Sequence, residues 1–167
     1  VAVGVPTRSF DKPLISMIVF QPDQAQRVIS KRYLHADERA FFSPAQDAPG
    51  VLDMPTRVGL AICYEITVEA HIEAVVSQGI GIYLASVAKT HNGMIDAEKN
   101  LSKAQRYNLP ILVVNCVGTC EGKTAGGGSM IIDPFGHIMA QLGQTEEGLL
   151  IYDDAARTAV SIPCQRV

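Results

Sequence analysis

No apolar run in this chain approaches the roughly eighteen residues that a membrane-spanning helix needs, so no membrane segment and no membrane partner are expected. No excess of basic residues is present either. Lys and Arg number 14 against 17 Asp and Glu, giving a net charge of −3 and a pI near 5.8. That balance lacks the electropositive footprint of a nucleic-acid binder and favours a small-molecule partner. Cysteine is sparse: four residues, at 63, 116, 120 and 164, with neither the spacing of a disulfide-stapled scaffold nor that of a zinc site. Cys63 and Cys116 lie in Val/Leu/Ile-rich runs, which suits free thiols in a reducing, cytoplasmic compartment. Internal repeats, low-complexity tracts and an initiator Met are also missing. The chain opens on Val1-Ala2-Val3-Gly4-Val5-Pro6, which reads as a buried strand and not as a signal peptide, so further sequence is expected upstream.

What is present fits a single domain over residues 1–167, with 47% hydrophobic and 19% charged residues. Residues 1–5, 14–20 and 27–33 read as strands, the last two joined by a turn at Gln21-Pro22-Asp23-Gln24. Residues 36–56 are polar and Pro-rich and read as a long loop. Residues 57–63, Arg-Val-Gly-Leu-Ala-Ile-Cys, form a nearly continuous apolar run, as in a strand covered on both faces. A helix over 67–78 follows, with Val68, Ile72, Val75 and Val76 on one face, Thr67 as its cap and Gly79 at its end. Strands at 80–87 and 111–115 bracket a surface helix at 95–108. Short strands at 129–132, 137–142 and 148–152 complete an α/β pattern. Asp133-Pro134-Phe135-Gly136 turns between the first two of them.

Cys63 ends an apolar strand immediately before a helix. A thiol at such a junction is exposed at the sheet edge near the positive end of a helix dipole, which favours the reactive thiolate. Turn amides there can donate to a developing oxyanion. Position alone also fits a buried structural cysteine. A second element is Lys31, in a β-like stretch, with Glu38 seven residues on. A lysine facing a cleft stabilises a tetrahedral oxyanion, and a carboxylate beside it keeps the ammonium charged and oriented. Solvated loop charges are the plainer reading of that pair.

Together these elements resemble the carbon–nitrogen hydrolase, or nitrilase, superfamily. Its lysine block is matched by Lys31, Leu34, Glu38 and Phe41-Phe42, with Tyr33 in place of a histidine. Its cysteine block is matched by Gly59-Leu60-Ala61-Ile62-Cys63-Tyr64-Glu65. Asn115, Gly118, Gly127, Ser129 and Asp133-Pro134-Phe135-Gly136 follow in the family's order. The helix before Asn115 departs from the family, since Lys103-Ala104-Gln105-Arg106-Tyr107 keeps only the alanine of its motif.

The resemblance implies a four-layer α-β-β-α sandwich and homo-oligomers assembled through helices. It implies a Glu–Lys–Cys triad with no cofactor, acting on a small amide, carbamoyl or nitrile substrate through a thioester. In it Cys63 is the nucleophile, Lys31 the oxyanion stabiliser and Glu38 the residue that orients Lys31. Tyr64, Glu65, His35 and Lys89 stand at the oxyanion and substrate rim. The triad's glutamate has no counterpart in the chain, so the first strands and helices are expected to be absent and the 167-residue piece inactive by itself. Acyl transfer from the same thioester, or a non-catalytic binding domain, are the alternatives.

Other motifs carry less. Gly118-Thr119-Cys120-Glu121-Gly122-Lys123-Thr124 has three residues between its glycines where a phosphate loop needs four. Gly126-Gly127-Gly128-Ser129 lacks the Ser-x-Lys pattern of serine amidases, leaving its glycines a backbone role.

Overall fold

The computed structural model describes residues 1–120 and 122–164; of Ser102 and Lys103 it describes the backbone only, so the Lys103 side chain, one of the departures from the family motif, lies outside it. Its strands in chain order are β1 (Ala2–Thr7), β2 (Leu14–Val19), β3 (Arg27–Ser30), β4 (Val51–Leu52), β5 (Val58–Ile62), β6 (Ile82–Val87) and β7 (Ile111–Asn115). They continue with β8 (Thr119–Cys120), β9 (Lys123–Thr124), β10 (Met130–Ile132), β11 (Ile138–Gln141), β12 (Gly148–Asp153) and β13 (Thr158–Pro163). The helices are α1 (Glu69–Val76) and α2 (His91–Gln105).

Strands β1 to β3 form an antiparallel meander, while the larger sheet runs β11-β10-β7-β6-β5-β4. Its centre, β5-β6-β7, is parallel and carries the apolar runs expected of strands covered on both faces. One face packs Ala61, Tyr83, Ala85 and Ile111 against Ile72 and Val75 of α1 and Met94 and Leu101 of α2. The opposite face sets Val58, Leu60 and Ile82 against Met17 and Val19 of the meander. Close approach of α1 depends on Gly59, because a Cβ there would lie 2.7 Å from Ile80 and 3.2 Å from the Val75 side chain. The layers are therefore helix, sheet, sheet. The far side of the meander presents Val3, Ile18 and Val28 in one cross-strand row, with Val3 and Val28 exposed. Among the described residues no helix covers that row, so the fourth layer of the expected sandwich is not formed within them.

Several boundaries differ from the sequence reading, each for a local reason. The third strand stops at Ser30 and not at Tyr33, because the Arg32 and Tyr33 amides turn away to a side chain, that of Glu65. The expected 67–78 helix begins as a 3-10 turn, Cys63–Thr67. Val68 then adopts an extended conformation (φ −96°, ψ 109°) and caps α1 in place of Thr67, with no side-chain cap bond. The second helix starts four residues early because the Thr90 hydroxyl accepts the Gly93 N–H at 3.3 Å. The 36–56 loop contains a 3-10 turn, Glu38–Ala40, and the short strand β4. Strand β13, unread in the sequence, pairs with β12 as a hairpin.

Candidate active site

The parallel strands β5, β6 and β7 end side by side, and the loops beyond their carboxyl ends form the edge where α/β proteins bind ligands. Cys63 is the first residue past β5 and sits at φ 51°. A non-glycine residue rarely adopts that left-handed backbone, and the sharp reversal it makes lifts the side chain out of the sheet. Cys63 is half-buried. The thiol thus heads a 3-10 turn, not the α-helix the sequence suggested, and α1 begins six residues later.

Glu65 explains that geometry. Its carboxylate is 3% exposed, yet both oxygens are occupied. One accepts the Ile62 N–H at 2.9 Å, directly before the cysteine. The other accepts the Arg32 N–H at 2.7 Å and the Tyr33 N–H at 3.2 Å, directly after Lys31. A single buried carboxylate therefore ties the loop carrying Lys31 to the turn carrying Cys63. Hydrogen bonds to an ionised acceptor are about twice as strong as neutral ones, which suits such a joint.

Lys31 is wholly buried at 0% exposure, a placement that an ammonium tolerates only when paired. Glu38 supplies the partner, with its two oxygens 2.6 and 2.7 Å from Nζ. Glu38 also accepts the His35 N–H at 2.7 Å, and its own main chain is wound into the 3-10 turn. His35 bonds Asp37 through Nδ1 at 2.6 Å and lays its ring edge-on against Tyr64, 5.2 Å between centroids. Cys63, Tyr64, Glu65, Lys31, His35 and Glu38 are thereby gathered on two joined loops. Glu65 lies beneath them as their fastening and presents no free oxygen to a substrate.

Lys89 stands apart, on the loop after β6. Its backbone N–H donates to Asn115 Oδ1 at 2.9 Å, and its carbonyl accepts from Asn115 Nδ2 at 3.0 Å. The same Nδ2 donates to Gly127 O at 2.8 Å, and the Gly126 N–H donates to Lys89 O at 2.7 Å. Asn115, read in the sequence only as part of an ordered motif, is thus the brace of the opposite rim. Gly126 can have no side chain there, since a Cβ would lie 2.5 Å from the His91 backbone.

His71 belongs to none of the motifs read in the sequence. It packs 1% exposed beneath the cysteine turn, with Nε2 3.1 Å from Leu60 O and Nδ1 3.8 Å from Glu65 Oε1. His71 shares the face of Ile72 and Val75, the signal that could have placed it. Tyr83 lies alongside, and burial, with the charge of Glu65 adding to it, pushes its phenol well above the usual range. Burial also lowers the His71 pKa, against the opposing pull of Glu65. With the folded pKa below the unfolded value near 6.5, the neutral ring contributes stability above that pH. That contribution is lost as pH falls from about 6.5 toward the folded pKa. Denaturation midpoints should therefore drop on acidification through this window, and His71→Gln should flatten that slope; equal slopes for both proteins would contradict it.

A cavity of about 600 Å³ adjoins the loops, bordered by Arg32, Tyr33 and Tyr64 but not by Lys31 or Cys63. Among the described residues no three His, Cys, Asp or Glu side chains are grouped to hold a metal ion. No helix is long and apolar enough to cross a membrane among them.

The family model described as carbon-nitrogen hydrolase matches residues 1–160. An (R)-stereoselective amidase from Pseudomonas sp is 30% identical over 133 residues, covering 78% of this chain and 48% of the amidase. A glutamine-dependent NAD(+) synthetase from Thermotoga maritima is 29% identical over 122 residues, covering 70% of this chain and 21% of the synthetase. This chain therefore spans less than half of either relative. Among solved structures, a variant of the amidase of Nesterenkonia sp. AN1 bearing the acetamide moiety of fluoroacetamide on its active-site cysteine aligns with TM-score 0.78. The alignment has 18% identity and covers 97% of this chain and 60% of that one. A butyramide complex of a variant of the same amidase aligns at TM-score 0.75 and 18% identity over 86% of this chain and 57% of that one. These likenesses establish the nitrilase-type α/β fold.

Proposed function

Because the chain belongs to the carbon–nitrogen hydrolase family, we propose that it carries the nucleophile and oxyanion stabiliser of an amidase-like enzyme acting on a small linear amide. The observation that carries this reading is the Glu65 carboxylate, which joins the loop of a buried Lys31 to the turn of Cys63. In this reading the Cys63 sulfur attacks the amide carbonyl carbon. The charge that develops on oxygen is met by the Lys31 ammonium and the Tyr64 amide, the latter among the first N–H groups of a helical turn, which lack partners within it. The carbon–nitrogen bond breaks, the nitrogen leaves as protonated amine or ammonia, and a thioester remains. Water then adds to the thioester, releases the acid and restores the thiol.

The proton of Cys63 needs an acceptor. Glu65 has both oxygens committed to backbone amides, and Glu38 grips Lys31 with both of its own. The reading therefore assigns that acceptor, the family's third triad member, to a carboxylate outside these residues. The butyramide bound in a variant of the Nesterenkonia amidase favours short aliphatic amides over carbamoyl compounds and nitriles as the class to test.

Full-length protein incubated with acetamide, propionamide and butyramide should release ammonia and show a transient acyl mass on the peptide containing Cys63. Ammonia release without any acyl adduct on that peptide, or adduct on another cysteine, would refute the assignment. Lys31→Met should lower kcat by about 10²–10³ with a much smaller effect on KM, since the ammonium acts on the transition state. Glu38 keeps its bond to the His35 amide and is 22% exposed, so the variant should still fold. Steady-state kinetics beside a thermal midpoint separate the two effects.

A further inference from the structure

We propose that the cavity beside the two joined loops is a binding site for a small organic monocarboxylate, separate from the reacting atoms. Its walls carry three cations, Lys12, Arg32 and Arg39, against one carboxylate, Asp11. Among the described residues none of these three cations has an ion-pair partner, whereas Lys31, Arg57, Lys99, Arg106 and Arg157 each meet a carboxylate. Like charges that converge on one cavity repel one another, and a bound anion relieves that repulsion. Two of the three are also held in place. Lys12 Nζ donates to Arg39 O at 3.0 Å, which ties the segment before β2 to the 3-10 turn Glu38–Ala40. The Arg32 main chain is pinned by its N–H bond to Glu65, and its guanidinium lies 5.8 Å from the centroid of the Tyr33 ring. Lys12 and Arg32 are half-buried, so water screens them less than it does the exposed Arg39. Cations fixed in this way lose little freedom when a ligand arrives.

The rest of the lining sets the ligand class. Tyr33, Phe42, Tyr64, Leu34 and Val68 present rings and aliphatic groups, so the ligand needs an apolar body beside its charge. A volume of about 600 Å³ suits a small molecule and not a polymer. The guanidinium fork of Arg32 matches a planar carboxylate with two parallel N–H bonds. Asp11 on the same wall disfavours a second negative charge, which selects a monoanion over a phosphate. Arg32, Tyr33 and Leu34 directly follow Lys31, and Tyr64 directly follows Cys63, yet neither Lys31 nor Cys63 borders the cavity. A carboxylate bound there would rest on both loops that Glu65 joins without touching the nucleophile.

The site requires no chemistry of Cys63, so its test stands independently of the amidase reading. Full-length protein is titrated calorimetrically with benzoate, with benzyl alcohol as its uncharged counterpart, and with inorganic phosphate. Benzoate should bind saturably and at least about tenfold more tightly than either of the others, with an affinity that falls as salt is raised. Arg32→Gln removes the guanidinium but keeps the main-chain N–H that Glu65 accepts, and it should weaken benzoate about ten- to a hundredfold. Arg39→Gln changes an exposed side chain and so leaves the fold intact; it should weaken benzoate by about three- to tenfold. Lys31→Met should leave benzoate binding unchanged, because Lys31 does not border the cavity. Absence of benzoate binding, equal affinity for benzyl alcohol or phosphate, or binding that survives both arginine changes would overturn the proposal. Binding lost in Lys31→Met but kept in Arg32→Gln would overturn it too, by placing the anion at the reaction centre.

Discussion

Cys63→Ala is expected to lower amide turnover by about 10⁴–10⁶ and to abolish the acyl-enzyme adduct, while leaving the fold nearly as stable as before. The separation of these two effects follows from the backbone. At φ 51° cysteine and alanine pay the same steric penalty, so the substitution neither adds nor relieves strain in the turn. The thiol packs only partly against the helix-side core, and losing its sulfur contacts should cost about 1 kcal/mol. A collapse in turnover with a nearly unchanged denaturation midpoint would then report chemistry alone. Cys63→Ser is a sharper form of the experiment. It retains shape and polarity but supplies a hydroxyl that ionises far less readily than a thiol, so turnover should remain close to that of the alanine variant. An acyl adduct on the Cys63→Ala protein with acetamide, or more than about a tenth of wild-type turnover in either variant, would remove Cys63 from the nucleophile's role.

The parts of this molecule legible in its sequence were those governed by short-range rules. The apolar run ending in Cys63 identified β5, and Pro110 marked the entry to β7. The Asp133-Pro134-Phe135-Gly136 turn forms with Asp133 Oδ1 accepting the Phe135 and His137 N–H groups, each at 2.8 Å. The pairing of Lys31 with Glu38 was likewise open to inspection, since both lie within one short segment. What escaped were contacts between distant segments. Nothing near Glu65 in the chain says that its partners are the amides of residues 32 and 33, and that contact both shortened β3 and turned the expected helix start into a 3-10 turn. Periodicity likewise treats His71 as one more helical position, although its ring is buried against Leu60 O. Asn115 bridges two loops that only the assembled sheet brings together. Local propensity gives way wherever a buried polar group must find its partner across the fold.

Glu65→Ala should be the most damaging single change outside the nucleophile, because it strips a buried acceptor from three partly buried backbone N–H groups. A buried donor left unbonded costs about 1–3 kcal/mol, and water could replace the carboxylate only partially, so the loss should be about 3–5 kcal/mol. Glu65→Gln tests the charge at nearly constant shape. Its single carbonyl oxygen can serve either Ile62 or the Arg32 and Tyr33 pair, while its amide hydrogens face an N–H on the other side. A loss of about 1.5–3 kcal/mol is expected, visible as a lower urea midpoint with an unchanged slope. Function should suffer beyond stability. Once the clasp opens, the Lys31 loop and the Cys63 turn are no longer held in one register, and a misplacement of about 1 Å at a reacting centre costs about 10² in rate. Glu65→Gln should therefore lower kcat at temperatures where the variant is fully folded, and Glu65→Asp, one methylene too short to serve both loops, should do the same. A variant that loses stability yet keeps full kcat would reduce Glu65 to a packing residue, and one that loses neither would show that the two loops are held together by something else.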